Sequence, residues 1–141
     1  MTTVTTLKKE MYTNRELATL LGGLFDVQEL KGVRFALQVS KNINLLQSEL
    51  EAIEKAAAPD PEFVVLANQV QALEKANDEE AIKKLEEKNP KLIEDRKSQI
   101  SEFNKVMEEE AELFLFKISE NHLPKDITAK QLNNIQLILK E

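Results

Sequence analysis

The sequence predicts a mainly α protein, a long antiparallel helical hairpin or bundle with a minor β element. Three observations carry this. Apolar residues recur at steps of three and four along most of the chain, the spacing that gathers them on one face of a helix. Three glycines and four prolines in 141 residues leave room for long uninterrupted helices. Late in the chain the period changes, and Leu113-Phe114-Leu115-Phe116-Lys117-Ile118 forms a compact apolar run that reads as a strand with both faces covered. The length fits a single helical domain over residues 1–141.

Residues 3–12 (TVTTLKKEMY) begin β-branched and read as a short strand. A lone strand leaves its backbone groups unpaired, so this segment is the expected partner of 113–118, with a symmetry mate as the other option. Thr13 and Glu16 have the T-x-x-E spacing of a capping box, which satisfies two backbone donors at a helix start. Leu17, Leu20, Leu21, Leu24 and Phe25 follow at helical spacing. Gly22-Gly23 predicts close packing or a bend before Asp26, and Asp26 is a candidate N-cap for the next helix.

That next helix is predicted over Val27 to Ala58. Its seam is Phe35, Val39, Ile43, Leu46, Leu50, Ile53 and Ala57. At 1.5 Å per residue it would be roughly 45 Å long. Pro59-Asp60-Pro61 ends it, and Asp60 with Pro61 suits the start of another helix. Phe63, Leu66, Val70 and Leu73 repeat the same rhythm, so the two helices are expected to fold back as an antiparallel hairpin. Asn77-Asp78 interrupts the second arm, and Ala81, Ile82 and Leu85 resume it. Asn89-Pro90 is a further break, since a residue before proline is pushed out of helical geometry. Leu92, Ile93, Ile100, Phe103, Val106 and Met107 define a helix that ends near Glu108-Glu109-Glu110. After the apolar strand comes a loop, Ser119 to Asp126. Thr128 and Gln131 then form a second capping box for a last helix with Leu132, Ile135, Ile138 and Leu139.

Composition bounds the function. The core must be aliphatic, with 42% hydrophobic but 5% aromatic residues and no tryptophan. Charged residues at 31%, mixed in sign, suit helices with one solvated face. A net charge of −6 argues against generic nucleic-acid binding, which needs an excess of cations for the phosphates. The absence of cysteine removes disulfides, thiolate metal sites and cysteine nucleophiles, and fits a reducing compartment. No apolar run approaches the roughly 20 residues that span a bilayer, and the start lacks the apolar core of a secretion signal. A location in the cytoplasm is the expectation.

Catalytic constellations are lacking. His122 is the only histidine and lies in a polar loop. The acidic pairs Glu49/Glu51, Asp78/Glu79/Glu80, Glu86/Glu87 and Glu108 to Glu110 sit in charged helical surroundings, where a solvated face is the plain reading. No phosphate-loop, dinucleotide, nucleophile-elbow, zincin or calcium-loop pattern occurs. Neither an enzyme, a metal nor a cofactor is expected.

One basic set stands out. At about 100° per residue, Lys31, Arg34 and Lys41 fall on one stripe of the predicted long helix, together with Gln38. Asn42 and Asn44 flank it with amides. Lys31, Arg34, Phe35, Lys41 and Asn42 are therefore the candidate contacts for an anionic ligand at a subunit junction. The alternative is ordinary surface charge, either solvated or paired with Asp26 or Glu29. Leu30, Val33 and Leu37 lie off the main seam, and a second apolar stripe implies a second partner, most simply a two-fold dimer.

The phrases TNRELATLLGGL, KGVRFALQVSKNINLLQSELEAIEKA, EFNKVMEEEAELFLFKISENHLP and ITAKQLNNIQLIL occur in that order. This arrangement resembles a group of small tailed-bacteriophage proteins of unknown function, in which a long helix leads to a short strand and a final short helix. The resemblance leaves out residues 59–90. It implies a viral accessory or assembly protein acting in the cytoplasm of a bacterial host and carries over no binding residues. The expectation is a non-enzymatic phage protein that oligomerises through its helices and sequesters a host component, one option being an anionic immune-signalling nucleotide. The alternative is a head or tail assembly protein of the particle.

Overall fold

The computed structural model describes residues 10–140. Among the described residues the chain is mainly helical, at 73% helix, with six α-helices and a small two-stranded antiparallel sheet. The order is β1 (Glu10–Thr13), α1 (Asn14–Val27), α2 (Val33–Ala57), α3 (Pro61–Lys75), α4 (Glu79–Lys88), α5 (Pro90–Glu108), β2 (Glu110–Leu113) and α6 (Ala129–Asn134). Short 3-10 turns occupy Glu120–His122 and Gln136–Ile138.

The expected strand pair forms, but the second strand is displaced. The strand predicted over 3–12 is seen at Glu10–Thr13, and residues 3–9 lie outside the described residues. Its partner is Glu110–Leu113 rather than 113–118, in the register Glu10↔Leu113 through Thr13↔Glu110. Beyond Leu113 the ladder stops, because side chains of α2 take over the backbone of the next residues. Asn42 Nδ2 donates to Phe116 O (2.8 Å) and to Gln38 O (2.9 Å), while Phe116 N–H donates to Asn42 Oδ1 (2.9 Å). Gln38 Nε2 donates to Lys117 O at 3.1 Å. Ile118 then makes a single parallel bridge to Leu139. The run is also not covered on both faces. Leu113, Leu115 and Ile118 are buried, whereas Phe114 and Phe116 are 40% and 36% exposed.

Both capping boxes are present, Thr13 with Glu16 and Thr128 with Gln131. The boundary between the first two helices differs from the sequence reading. Asp26 does not cap the long helix. Instead α1 continues through the glycine pair to Val27, which is fully buried. Gly23 is the close-packing position, since a Cβ there would lie 2.8 Å from Asn134 O of α6, while one at Gly22 meets nothing within 4 Å. The break comes at Gly32, whose φ of +132° is incompatible with a helix and unfavourable for any residue with a side chain. Ala36 N–H donates to Gly32 O at 2.8 Å, so α2 starts at Val33 and runs 25 residues.

The chain divides into two compact units, residues 1–52 with 107–141, and residues 53–106, with the boundaries inside α2 and α5. In the first unit the core is built from Leu17, Leu20, Leu21, Leu24 and Val27 of α1, Phe35, Val39, Ile43, Leu46 and Leu50 of α2, and Leu115, Ile118, Ile135 and Ile138 near the C-terminus. A polar cluster ties its pieces together. The Tyr12 hydroxyl donates to the Glu10 carboxylate, Lys117 Nζ lies 3.7 Å from the same carboxylate, and Lys117 also donates to Leu137 O. Burial, then the hydrogen bond and the nearby charge of Glu10, hold the Tyr12 phenol well above its usual range of ionisation.

The second unit contains the end of α2, then α3, α4 and most of α5. Pro61 opens α3 after Asp60, and Asn77, at φ 54°, separates α3 from α4, both at the predicted positions. Asp78 caps α4 by accepting from Ala81 N–H at 3.1 Å. The end of α2 is held by α5. Arg96 Nη1 donates to Ala57 O at 2.6 Å, and Gln99 Nε2 to Ala56 O and Ala58 O at 2.8 and 2.9 Å. These are the carbonyls a helix end leaves without partners. The Arg96 guanidinium also lies 5.8 Å from the centre of the Phe63 ring.

Candidate functional site

From Leu30 to Ser48 the chain has Lys31, Arg34 and Lys41 and no acidic residue, within a protein of net charge −6. The structure sorts the five candidate contacts into two groups. Lys31, Arg34 and Lys41 are exposed. Phe35 is 1% exposed and Asn42 is fully buried. Phe35 is therefore a core residue with no face for a ligand. Asn42 uses both ends of its amide on Gln38 and Phe116, so it positions the 114–118 segment.

The common stripe also needs revision. Lys31 precedes Gly32 and lies in the turn before α2, so the helical angle relates only Arg34 and Lys41, which are about 20° apart. Gln38, between them, is half-buried and bonded to Lys117 O. Among the described residues neither Lys31 nor Arg34 has an ion pair, so the anticipated neutralisation by Asp26 or Glu29 does not occur. Lys41 places its ammonium 5.4 Å from the centre of the Phe116 ring, a cation–π distance.

Sequence reasoning found the exposed apolar residues of this helix and missed those beside it. Val33 is 87% and Leu37 52% exposed, but Leu30, the third residue of the expected second stripe, is half-buried and precedes α2. Phe114 and Phe116 face outward because residues 112, 114 and 116 share one parity and Leu113 and Leu115 the other. That alternation was visible in the sequence, but the run was read as doubly covered. The result is a cationic surface with exposed aliphatic side chains, on α2 and the turn before it.

Other sites are poorer in chemistry. A cleft of about 480 Å³ is lined by Thr13, Arg15, Leu20, Asn133 and Leu137 among others. Arg15 there is already paired with Glu108 at 2.6 Å. Among the described residues no group of three His, Asp or Glu could hold a metal ion. His122 is exposed in its 3-10 turn. No described helix is long and apolar enough to cross a membrane. No protein family, curated protein or solved structure matches the chain.

Proposed function

We propose that this chain is a non-enzymatic phage accessory protein that self-associates and captures an anionic host component on the first half of α2. One observation carries the binding part. Arg34 and Lys41 are exposed beside Val33 and Leu37, with Lys31 in the adjoining turn and no acid between Leu30 and Ser48. Exposed cations without ion-pair partners attract anions, and exposed aliphatic side chains between them add apolar contact. That combination fits an acidic amphipathic helix of a host protein better than a small nucleotide, because the aromatic ring and the amide that would hold a base, Phe35 and Asn42, are inside the fold. The viral setting and the cytoplasmic location rest on the resemblance of the sequence.

The test compares the unchanged protein with Arg34→Glu/Lys41→Glu. Binding of an acidic host partner should weaken at least tenfold in the variant and fall with added salt. Equal retention by both proteins would remove the α2 surface from the reading. A thermal-stability screen against cyclic nucleotides separates the small-ligand version, since a ligand that binds only the folded state raises the midpoint. Stable co-purification with head or tail components of a particle would favour the assembly role instead.

A further inference from the structure

The backbone of Phe116 is held more firmly than its place in the chain requires. The residue belongs to no regular element, yet its N–H and its C=O are both bonded to Asn42, a fully buried amide of α2, at 2.9 and 2.8 Å. Gln38, one turn earlier, donates to the next carbonyl, Lys117 O, at 3.1 Å. A buried amide needs partners, and that need accounts for the bonds. It does not account for the side chain they present, an aromatic residue left 36% exposed, with the Lys41 ammonium 5.4 Å from the ring centre. Lys41 joins this ring to the exposed face of α2. Val33, Leu37 and Lys41 follow at steps of four, so they are neighbours along a ridge about 12 Å long. Arg34 and Lys41 are two turns apart on the same side. All four are exposed. The ridge starts apolar at Val33 and Leu37 and ends at Phe116, with cations along its flank.

We propose that Phe116 is the specificity-determining anchor of the α2 surface, which takes an acidic helix of another protein carrying a large apolar side chain next to its carboxylates. This deepens the binding reading above and rests on it. Cations alone hold any anion, and salt weakens that attraction. An aromatic residue adds apolar contact that salt leaves in place. Because Asn42 already orders the backbone of Phe116, little further freedom is lost there on binding. Lys31, Arg34 and Lys41 select the sign of the partner, since no acid lies between Leu30 and Ser48. Arg34 and Lys41, two turns apart, match carboxylates seven residues apart on the partner helix. A carboxylate that reaches Lys41 lies beside the ring, so an apolar side chain next to it on the partner meets Phe116.

The probes are two synthetic helical peptides with the same glutamates, seven residues apart. One has leucine and phenylalanine on the adjoining face, and the other has alanine there. The unchanged protein should bind the first about tenfold more tightly, and the ratio should persist at about 0.5 M salt while both affinities fall. Phe116→Ala should bind the two peptides alike, with the salt dependence of the unchanged protein. Arg34→Glu/Lys41→Glu should lose both peptides. Helical circular dichroism checks the fold of each variant. If Phe116→Ala loses helical signal, Leu37→Ser, at an exposed position of the same ridge, replaces it and should lower the ratio about threefold. Equal binding of the two peptides by the unchanged protein, or an undiminished ratio in the folded variant, overturns the anchor and leaves the cationic surface standing. Failure of the unchanged protein to bind either peptide at about 1 mM overturns both readings.

Discussion

Helix α1 buries Leu17, Leu20, Leu21, Gly23, Leu24 and Val27, whereas α4 buries nothing. The contrast extends to the units they belong to. Of the buried hydrophobic residues among those described, Leu66 is the only one in residues 53–106. Both regions have amphipathic helices, so the difference lies in what surrounds each apolar face. In the first unit α1 meets α6, α2 is lined by the 114–118 segment, and the sheet closes one end, so faces are covered from several directions. In the second, nine Lys or Arg and twelve Asp or Glu occupy residues 53–106, and every apolar side chain there except Leu66 remains at least partly exposed. Periodicity specifies which face is apolar, but depth of burial requires enough neighbours to enclose it.

The largest test of this contrast is whether the units lose structure together. Tyr12 is the only tyrosine and there is no tryptophan, so tyrosine fluorescence reports the first unit alone, while helical circular dichroism reports both. In urea the helical signal should begin to fall roughly 1 M before the tyrosine signal. Coincident transitions would show that the thinly buried unit draws its stability from the other.

Within the first unit the largest single-residue effect is expected at Asn42. Asn42→Leu strips partners from the N–H and C=O of Phe116 and should cost about 3 kcal/mol in the tyrosine-reported transition. A cost under about 1 kcal/mol would mean that water replaces the amide without penalty. The glycine pair is a smaller, internally controlled case. Gly23→Ala should cost about 1–3 kcal/mol against the backbone of Asn134. Gly22→Ala, in open space, should stabilise by about 0.5–1 kcal/mol through helix propensity. The same sign at both positions would break the assignment of Gly23 as the α1–α6 contact.

The smallest effect is one of pH. Tyr12 in the fold keeps its proton above its ordinary value near 10, whereas the unfolded chain gives it up there. Above about pH 10 the unfolded state therefore binds fewer protons, and stability falls as pH rises further. Tyr12→Phe should flatten that alkaline decline, measured by thermal midpoints with circular dichroism as the probe.

The elements that could be read from sequence are those fixed locally. Thr13 with Glu16, Thr128 with Gln131, Pro61 after Asp60, and Asn89-Pro90 all act through neighbours a few residues away, and each marks a helix end as expected. The misplacements arise where a distant partner decides. Val27 joins α1 because the core buries it, and Gly32, which read as one glycine inside a long helix, is where the chain turns. The ladder ends at Leu113 because Asn42 supplies the next hydrogen bonds from a position 74 residues away in sequence. Of the candidate site, cations on a charge-biased helix were legible. Phe35 was marked as core by its place on the seam, so naming it a ligand contact conflicts with its own periodicity, whereas Asn42 was not separable from a surface residue, since an amide in a helix carries no local mark of the side it faces.

The amide of Phe116 has a consequence for exchange with solvent. Phe116 belongs to no regular element and is 36% exposed, yet its N–H is held by a fully buried side chain. Its deuterium uptake should follow the opening of α2 around Asn42 rather than the fraying of the short sheet. In a residue-resolved exchange map it should stand as a slow proton between the end of the sheet and the Ile118 bridge. One carboxamide thus acts as a timekeeper for the unfolding of the helix that presents it.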